Sequence, residues 1–221
     1  EKIYRMGFCK KCFFESPYAS ETIIRPELST AHLGIGERDL AVEEAIQLQP
    51  HIVYLAYTGD VKVGVTRESQ IPTRWIDQGA TFALPIAKTE NRYEAGMIEV
   101  ALKEHLADKT NWRALLKGDA APVDLLAVRE QLFDTCGTGL TELQQRFGIQ
   151  AIQPLSDQPV VQIAYPIDAY PAKITSFNLD KQPLAEGTLL GIKGQYLMFD
   201  TGVINIRKYT AYQLAVHELA A

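Results

Sequence analysis

Apolar residues recur along the chain with two periods. From Glu37 to Gln49, Leu40, Val42, Ala45, Ile46 and Leu48 roughly follow a helical stripe, with acidic residues at the start where the helix dipole favours them. His51 to Tyr57 and Val61 to Thr66 read as two strands joined at Thr58-Gly59-Asp60, the signature of a hairpin. Gln70 to Gln78 predicts a short helix with Pro72 in its first turn, and Ala80 to Ala87 a third strand. The strongest helix runs from Asn91 to Leu106, where Tyr93, Met97, Ala101 and His105 recur beside Ile98, Leu102 and Leu106. Further helices are expected at Asn111 to Lys117 and from Val123 to Phe133.

After Gly148 the texture becomes β-like and punctuated by Gly, Pro and Asp. Val160 to Tyr165, Ala172 to Phe177, Thr188 to Ile192, Gln195 to Phe199 and Val203 to Arg207 suggest a small antiparallel barrel-like domain. Gly148, Pro154 and Pro159 mark a boundary, so three regions are expected: 1–50, 51–148 and 149–221. The fold class is α+β.

Composition narrows the partners. The 221 residues carry 22 Lys+Arg against 27 Asp+Glu, a formal net charge of -5, and 47% are hydrophobic. That profile excludes a disordered or collagen-like chain, and the acidic balance excludes a protein that coats nucleic acid by bulk charge. A local basic cleft remains open, because Lys62, Arg67, Arg74, Lys103, Lys109 and Arg113 all fall in the central region. No stretch approaches the ~18 apolar residues of a membrane span. Glu1-Lys2-Ile3-Tyr4-Arg5 lacks an apolar signal core and reads as the start of a chain fragment. Three cysteines are too few for a disulfide framework, and a reducing cytoplasm is expected.

The central hairpin and the helices after it carry the candidate chemistry. Tyr54 and Lys62 lie on the two strands, Arg74 on the next helix, Glu99 on the long helix, and Asn111 beyond it. This is a phosphodiester-cleavage kit: a carboxylate for one Mg²⁺, an arginine for the phosphoryl oxygens, and a phenol or amine beside the attacking water. Each member also has a plain reading. Tyr54 can be a half-buried aromatic, Arg74 can pair with Asp77, and Asn111 can be a helix N-cap. Glu94 is expected to be solvated. Cys9 and Cys12, with His32, have the spacing of part of a zinc site, but a fourth ligand is missing and His51 or Asp39 would have to supply it. In the C-terminal region Lys173, Lys181, Lys193, Arg207 and Lys208 are interleaved with Phe177, Tyr196, Phe199 and Tyr209. They make either a strand-tracking face or a solvated surface over an aromatic core.

Residues 51–112 resemble the GIY-YIG nuclease superfamily. Ile52-Val53-Tyr54 falls on the first signature triplet, Lys62-Val63-Gly64 on the second, Arg74 on the family arginine, Glu99 on the metal-binding glutamate, and Asn111 near the terminal asparagine. The resemblance implies a three-stranded sheet flanked by helices, Mg²⁺ on Glu99, and DNA or RNA as substrate. Arg67 in the central region and Lys193, Arg207 and Lys208 of the C-terminal basic and aromatic run are the candidate nucleic-acid contacts. Two positions depart from the pattern: Ile52 replaces the opening glycine, and Lys62 replaces the second tyrosine. A lysine there acts as a base only if burial or nearby positive charge lowers its pKa.

A resemblance over nearly the whole chain is to domain-of-unknown-function family 2797. It rests on strings such as Lys62-Val63-Gly64-Val65-Thr66-Arg67, Ile71-Pro72-Thr73-Arg74-Trp75-Ile76-Asp77-Gln78-Gly79-Ala80 and Gly191-Ile192-Lys193-Gly194-Gln195-Tyr196-Leu197. That family tends to place further cysteines around Glu21–Thr22 and Ser29, where this chain has none. Three functions therefore stand as expectations: a metal-dependent nuclease, a non-catalytic nucleic-acid-binding module, and a protein-interaction module.

Overall fold

A computed structural model describes residues 3–106, 112–118, 123–172 and 174–218. Asn111, Lys109 and Lys173 lie outside the described residues. The chain opens with a hairpin, Ile3–Arg5 (β1) and Phe8–Cys9 (β2), followed by helix Lys10–Glu15 (α1). Four single 3₁₀ turns occupy Pro17 to Leu33 before helix Leu40–Gln47 (α2), whose N-cap Asp39 accepts the Val42 N–H.

The central hairpin forms as the pattern predicts, with His51–Tyr57 (β3) paired antiparallel to Val61–Arg67 (β4). Every residue of β3 is buried, because it is flanked on both edges. Helix Thr73–Asp77 (α3) follows, then Phe82–Thr89 (β5) on the other side of β3. Helix Arg92–Lys103 (α4) starts at Asn91, whose side chain caps the Glu94 N–H. Trp112–Leu115 (α5) and Leu125–Phe147 (α6) come next. The segment after Gly148 then returns to the central sheet through Ile152–Pro154 (β6) and Val161–Gln162 (β7), both paired with β5. The sheet order β4-β3-β5-β6 leaves β4 at one edge.

Each face of the sheet is covered. Val53, Leu55, Val63, Leu84 and Ile86 pack against Ala95, Ile98 and Leu102 of α4 and Leu125, Leu132 and Cys136 of α6. Ile52, Tyr54, Ala56 and Ala83 pack against Trp75 of α3 and Ala80. Helix α6 continues 14 residues beyond its expected end at Phe133, through Gly137 and Gly139. Each internal glycine costs about 1 kcal/mol. Leu140, Leu143 and Phe147 extend the stripe against the core, and burying such side chains contributes about 1.5–3 kcal/mol each when complete. Packing therefore outweighs the local signal.

Leu189–Lys193 (β8), Tyr196–Phe199 (β9) and Val203–Asn205 (β10) form a separate antiparallel sheet at the C-terminal end. It is an open three-stranded meander rather than a closed barrel. Of the two other expected strands, Val160 to Tyr165 contributes only β7, and to the central sheet. Among the described residues of Ala172 to Phe177, one bridge forms, Ser176 to Val203. Met198 and Val203 pack with Leu115 and Leu116, and Trp112 stacks on Tyr196 with ring centres 6.1 Å apart. The Gly194 turn rests on the backbone at Gly79, which joins this sheet to the α3–β5 loop. Among the described residues no helix is long and apolar enough to cross a membrane.

Candidate functional site

The site is built at the β4 edge of the central sheet. Alternation along β4 puts Lys62, Gly64 and Thr66 on the same face as Tyr54, which is paired directly with Gly64. A Cβ at Gly64 would lie 2.7 Å from the Tyr54 hydroxyl, so a side chain there would have to displace the phenol. The missing side chain lets the phenol lie across β4. Gln78, just past α3, donates its amide N–H to the Tyr54 oxygen, and the Trp75 ring meets the Tyr54 ring edge-on at 5.9 Å. Trp75 is buried against the sheet, so its neighbour Arg74 is turned toward the cavity.

Helix α4 supplies the opposite wall. Its Ala95, Ile98 and Leu102 face the core, while Arg92, Glu99 and Lys103 fall on a second stripe that lines the cavity. Lys103 Nζ lies 3.2 Å from Glu99 Oε1. The Arg92 guanidinium donates to the carbonyls of Thr22 (2.9 Å) and Ile23 (2.8 Å), tying the N-terminal 3₁₀ segment to the helix. Gly96 permits this approach, because a Cβ there would lie 2.6 Å from the Pro26 carbonyl carbon.

Together these elements enclose a cavity of about 660 Å³. Among the described residues, Arg5, Lys62, Arg67, Arg74, Arg92, Lys103 and Arg207 line it, against two carboxylates, Asp77 and Glu99. In a chain of net charge -5 this is a concentrated reversal of sign. Burial lowers the Lys62 amine to about 8, with the Arg74 charge acting in the same direction. Burial raises the Glu99 carboxyl, opposed by Lys103 and Arg92. It also raises the Tyr54 phenol, opposed by Arg74 and Gln78, and so keeps the phenol protonated at neutral pH. Arg92 is lowered by burial, an effect the Glu99 charge opposes.

Four of the five catalytic candidates, Tyr54, Lys62, Arg74 and Glu99, line this one cavity, and the fifth, Asn111, lies outside the described residues. Tyr54 is 1% exposed, well beyond half-buried, yet its hydroxyl end reaches the cavity. Of the four candidate nucleic-acid contacts, Arg67 and Arg207 reach the same cavity. Lys193 does not serve as a surface contact: it is 5% exposed, with Nζ 5.7 Å and 5.8 Å from the ring centres of Tyr165 and Tyr170. Lys208 is exposed and lies 3.4 Å from Asp180. Glu94 is buried rather than solvated, and it accepts the Glu90 N–H.

Arg5, Gln78 and Arg92 are cavity-wall residues that the sequence does not single out. Arg92 was recoverable from its spacing, seven residues before Glu99 on the same helix face. Gln78 and Arg5 arrive through tertiary contacts that leave no local signal.

The N-terminal metal candidates are placed apart from such chemistry. Cys9 caps α1, accepting the Cys12 N–H at 3.5 Å, while His32 stacks on Tyr93 at 4.3 Å. His51 is fully buried with Nδ1 2.7 Å from the Gln49 carbonyl, and Asp39 caps α2. Among the described residues, no group of three or more His, Cys, Asp or Glu side chains is arranged to hold a metal ion.

The fold and site define an α+β protein with an open, strongly basic cavity at the edge of an antiparallel sheet. The family model described as protein of unknown function (DUF2797) matches residues 1–214, and the chain belongs to that family. No curated protein and no solved structure matches it.

Proposed function

We propose that this chain processes nucleic acid, cleaving a phosphodiester in the manner of a GIY-YIG-like, metal-dependent nuclease. The observation that carries the reading is the convergence of Tyr54, Lys62, Arg74 and Glu99 on one basic cavity. Their order, on two hairpin strands, the next helix and the long helix after a third strand, adds support.

The donor set fits Mg²⁺ of the kind that takes one or two protein carboxylates and completes its shell with water and substrate phosphate. Glu99 would hold it. Burial disfavours its charged form, and Lys103, which now holds the carboxylate, would have to give way to the ion. When bound, the ion would neutralise charge developing on the phosphate. Arg74 would bind the non-bridging oxygens and stabilise the charge that builds there. Lys62, with its amine brought near neutrality, would accept the proton of the attacking water as its oxygen adds to phosphorus and the bond to the leaving oxygen breaks. Tyr54, held by Gln78, would orient that water and keep its own proton.

The test is a cleavage screen on branched, nicked and single-stranded DNA and RNA with Mg²⁺ or Mn²⁺. Activity that Glu99→Ala abolishes is expected, and wild type without such activity refutes the enzyme reading. The engagement of Glu99 by Lys103 favours a second reading, a binding module without turnover. It predicts salt-sensitive binding that Arg74→Ala weakens and Glu99→Ala does not.

A further inference from the structure

The N-terminal hairpin carries a feature that phosphate chemistry leaves unused. Tyr4, Phe13 and Phe14 form a three-ring cluster, with centroid distances of 5.4 Å, 5.9 Å and 5.3 Å. Two of the rings are poorly covered: Tyr4 is 52% exposed and Phe14 56% exposed. Large aromatics left half in water are costly unless something meets them.

The cluster adjoins the basic cavity. Arg5, next to Tyr4 in β1, lines that cavity and holds its guanidinium carbon 5.7 Å from the Phe13 ring centre. Met6, at the hairpin turn, lines it as well. The hairpin is seated in this place because Gly7 lies against Thr210, where a Cβ would come within 2.7 Å of the threonine methyl. That contact brings the hairpin beside the turn that carries Arg207, another lining residue.

Resting on the nucleic-acid reading of the cavity, we infer that Tyr4, Phe13 and Phe14 are a stacking platform for unpaired bases of the strand whose phosphates enter the cavity. The substrate class is then nucleic acid with a single-stranded segment beside the bound phosphate. A basic groove followed by exposed rings is the combination that holds single strands, because every base has a face to stack and stacking needs no particular sequence. A duplex presents its phosphates but keeps its bases stacked on one another. It would engage the arginines and leave the rings bare.

The experiment measures binding by fluorescence anisotropy, in metal-free buffer, of three labelled DNA probes. They are a blunt duplex, the same duplex with a single-stranded overhang, and the same overhang built from abasic units. Wild type should bind the overhang roughly fivefold or more tightly than the blunt duplex, the effect of about one stacked base. The abasic overhang should lose that advantage although its charge is unchanged. Tyr4→Ala/Phe14→Ala should lose it as well while binding the blunt duplex like wild type. An abasic overhang that binds as tightly as the natural one overturns the platform, whatever the variant does. Blunt and overhanging probes that bind equally, with Arg74→Ala weakening both, also overturn the platform and leave the cavity reading standing. No salt-sensitive binding by any probe sinks the cavity reading and the platform with it.

Discussion

Lys62 offers the sharpest test of the proposed chemistry, because its environment makes a quantitative claim. Burial first, and the Arg74 charge second, lower its pKa from 10.5 to about 8. At pH 7.5 roughly a quarter of such amines are neutral, against about 0.1% of ordinary lysines, so the pool of competent base rises on the order of 200-fold. Only the neutral amine accepts a proton, so kcat/KM with Mg²⁺ should fall roughly tenfold for each pH unit below about 8 and level off above it. Lys62→Arg keeps a charge that never dissociates, and it should remove this limb along with most of the activity. The titration can also be followed without turnover, by NMR of the lysine ε-methylene. The Lys62 signal should move near pH 8 in wild type and at higher pH in Arg74→Gln. A Lys62 that titrates like the surface lysines, or a limb that survives in Lys62→Arg, refutes the assignment of the base.

Gly64→Ala should drive the Tyr54 phenol off β4 and away from Gln78. A loss of about 1–3 kcal/mol in denaturant unfolding is expected, with weaker anion binding in the cavity. Gly96→Ala should push the Pro26–Glu27 backbone off α4, and limited proteolysis should then cut near Arg25 faster than in wild type while the central sheet stays protected. His51 is held neutral, its pKa lowered from 6.5 to about 4 by burial. The unfolded chain binds more protons between these values, so stability is complete above pH 6.5 and declines as pH falls toward 4. The loss is about 3 kcal/mol at most, and His51→Leu should flatten that stretch of the stability-against-pH curve.

The parts of the fold that were legible in the sequence are those set by neighbouring residues. The β3–β4 hairpin followed from its Thr58-Gly59-Asp60 turn, and α4 from its recurring apolar positions. Three candidate side chains were also fixed in relative position by short spacings, Tyr54 and Lys62 across the hairpin and Arg74 after it. What was not legible came from long-range contacts. Val161–Gln162 pairs with β5 rather than with the C-terminal sheet, a choice invisible in a two-residue strand. Helix α6 overrides two glycines because a core waits for its later turns. Lys193 reads as a surface cation in sequence and lies buried between aromatic rings because the β8–β9 turn docks on Gly79.

The sign reversal at the cavity has a kinetic consequence. Among the described residues seven basic and two acidic side chains line it, so the rest of a chain of net charge -5 carries ten excess negative charges. A polyanion far away meets the repulsive outer field, and it feels attraction only within about one Debye length of the mouth, ~10 Å at 0.1 M salt. Raising ionic strength from a low value should therefore speed encounter by screening the repulsion, even as it shortens the lifetime of the complex once formed. Most nucleic-acid-binding proteins are captured faster as salt falls. Here arrival and residence should respond to salt in opposite senses.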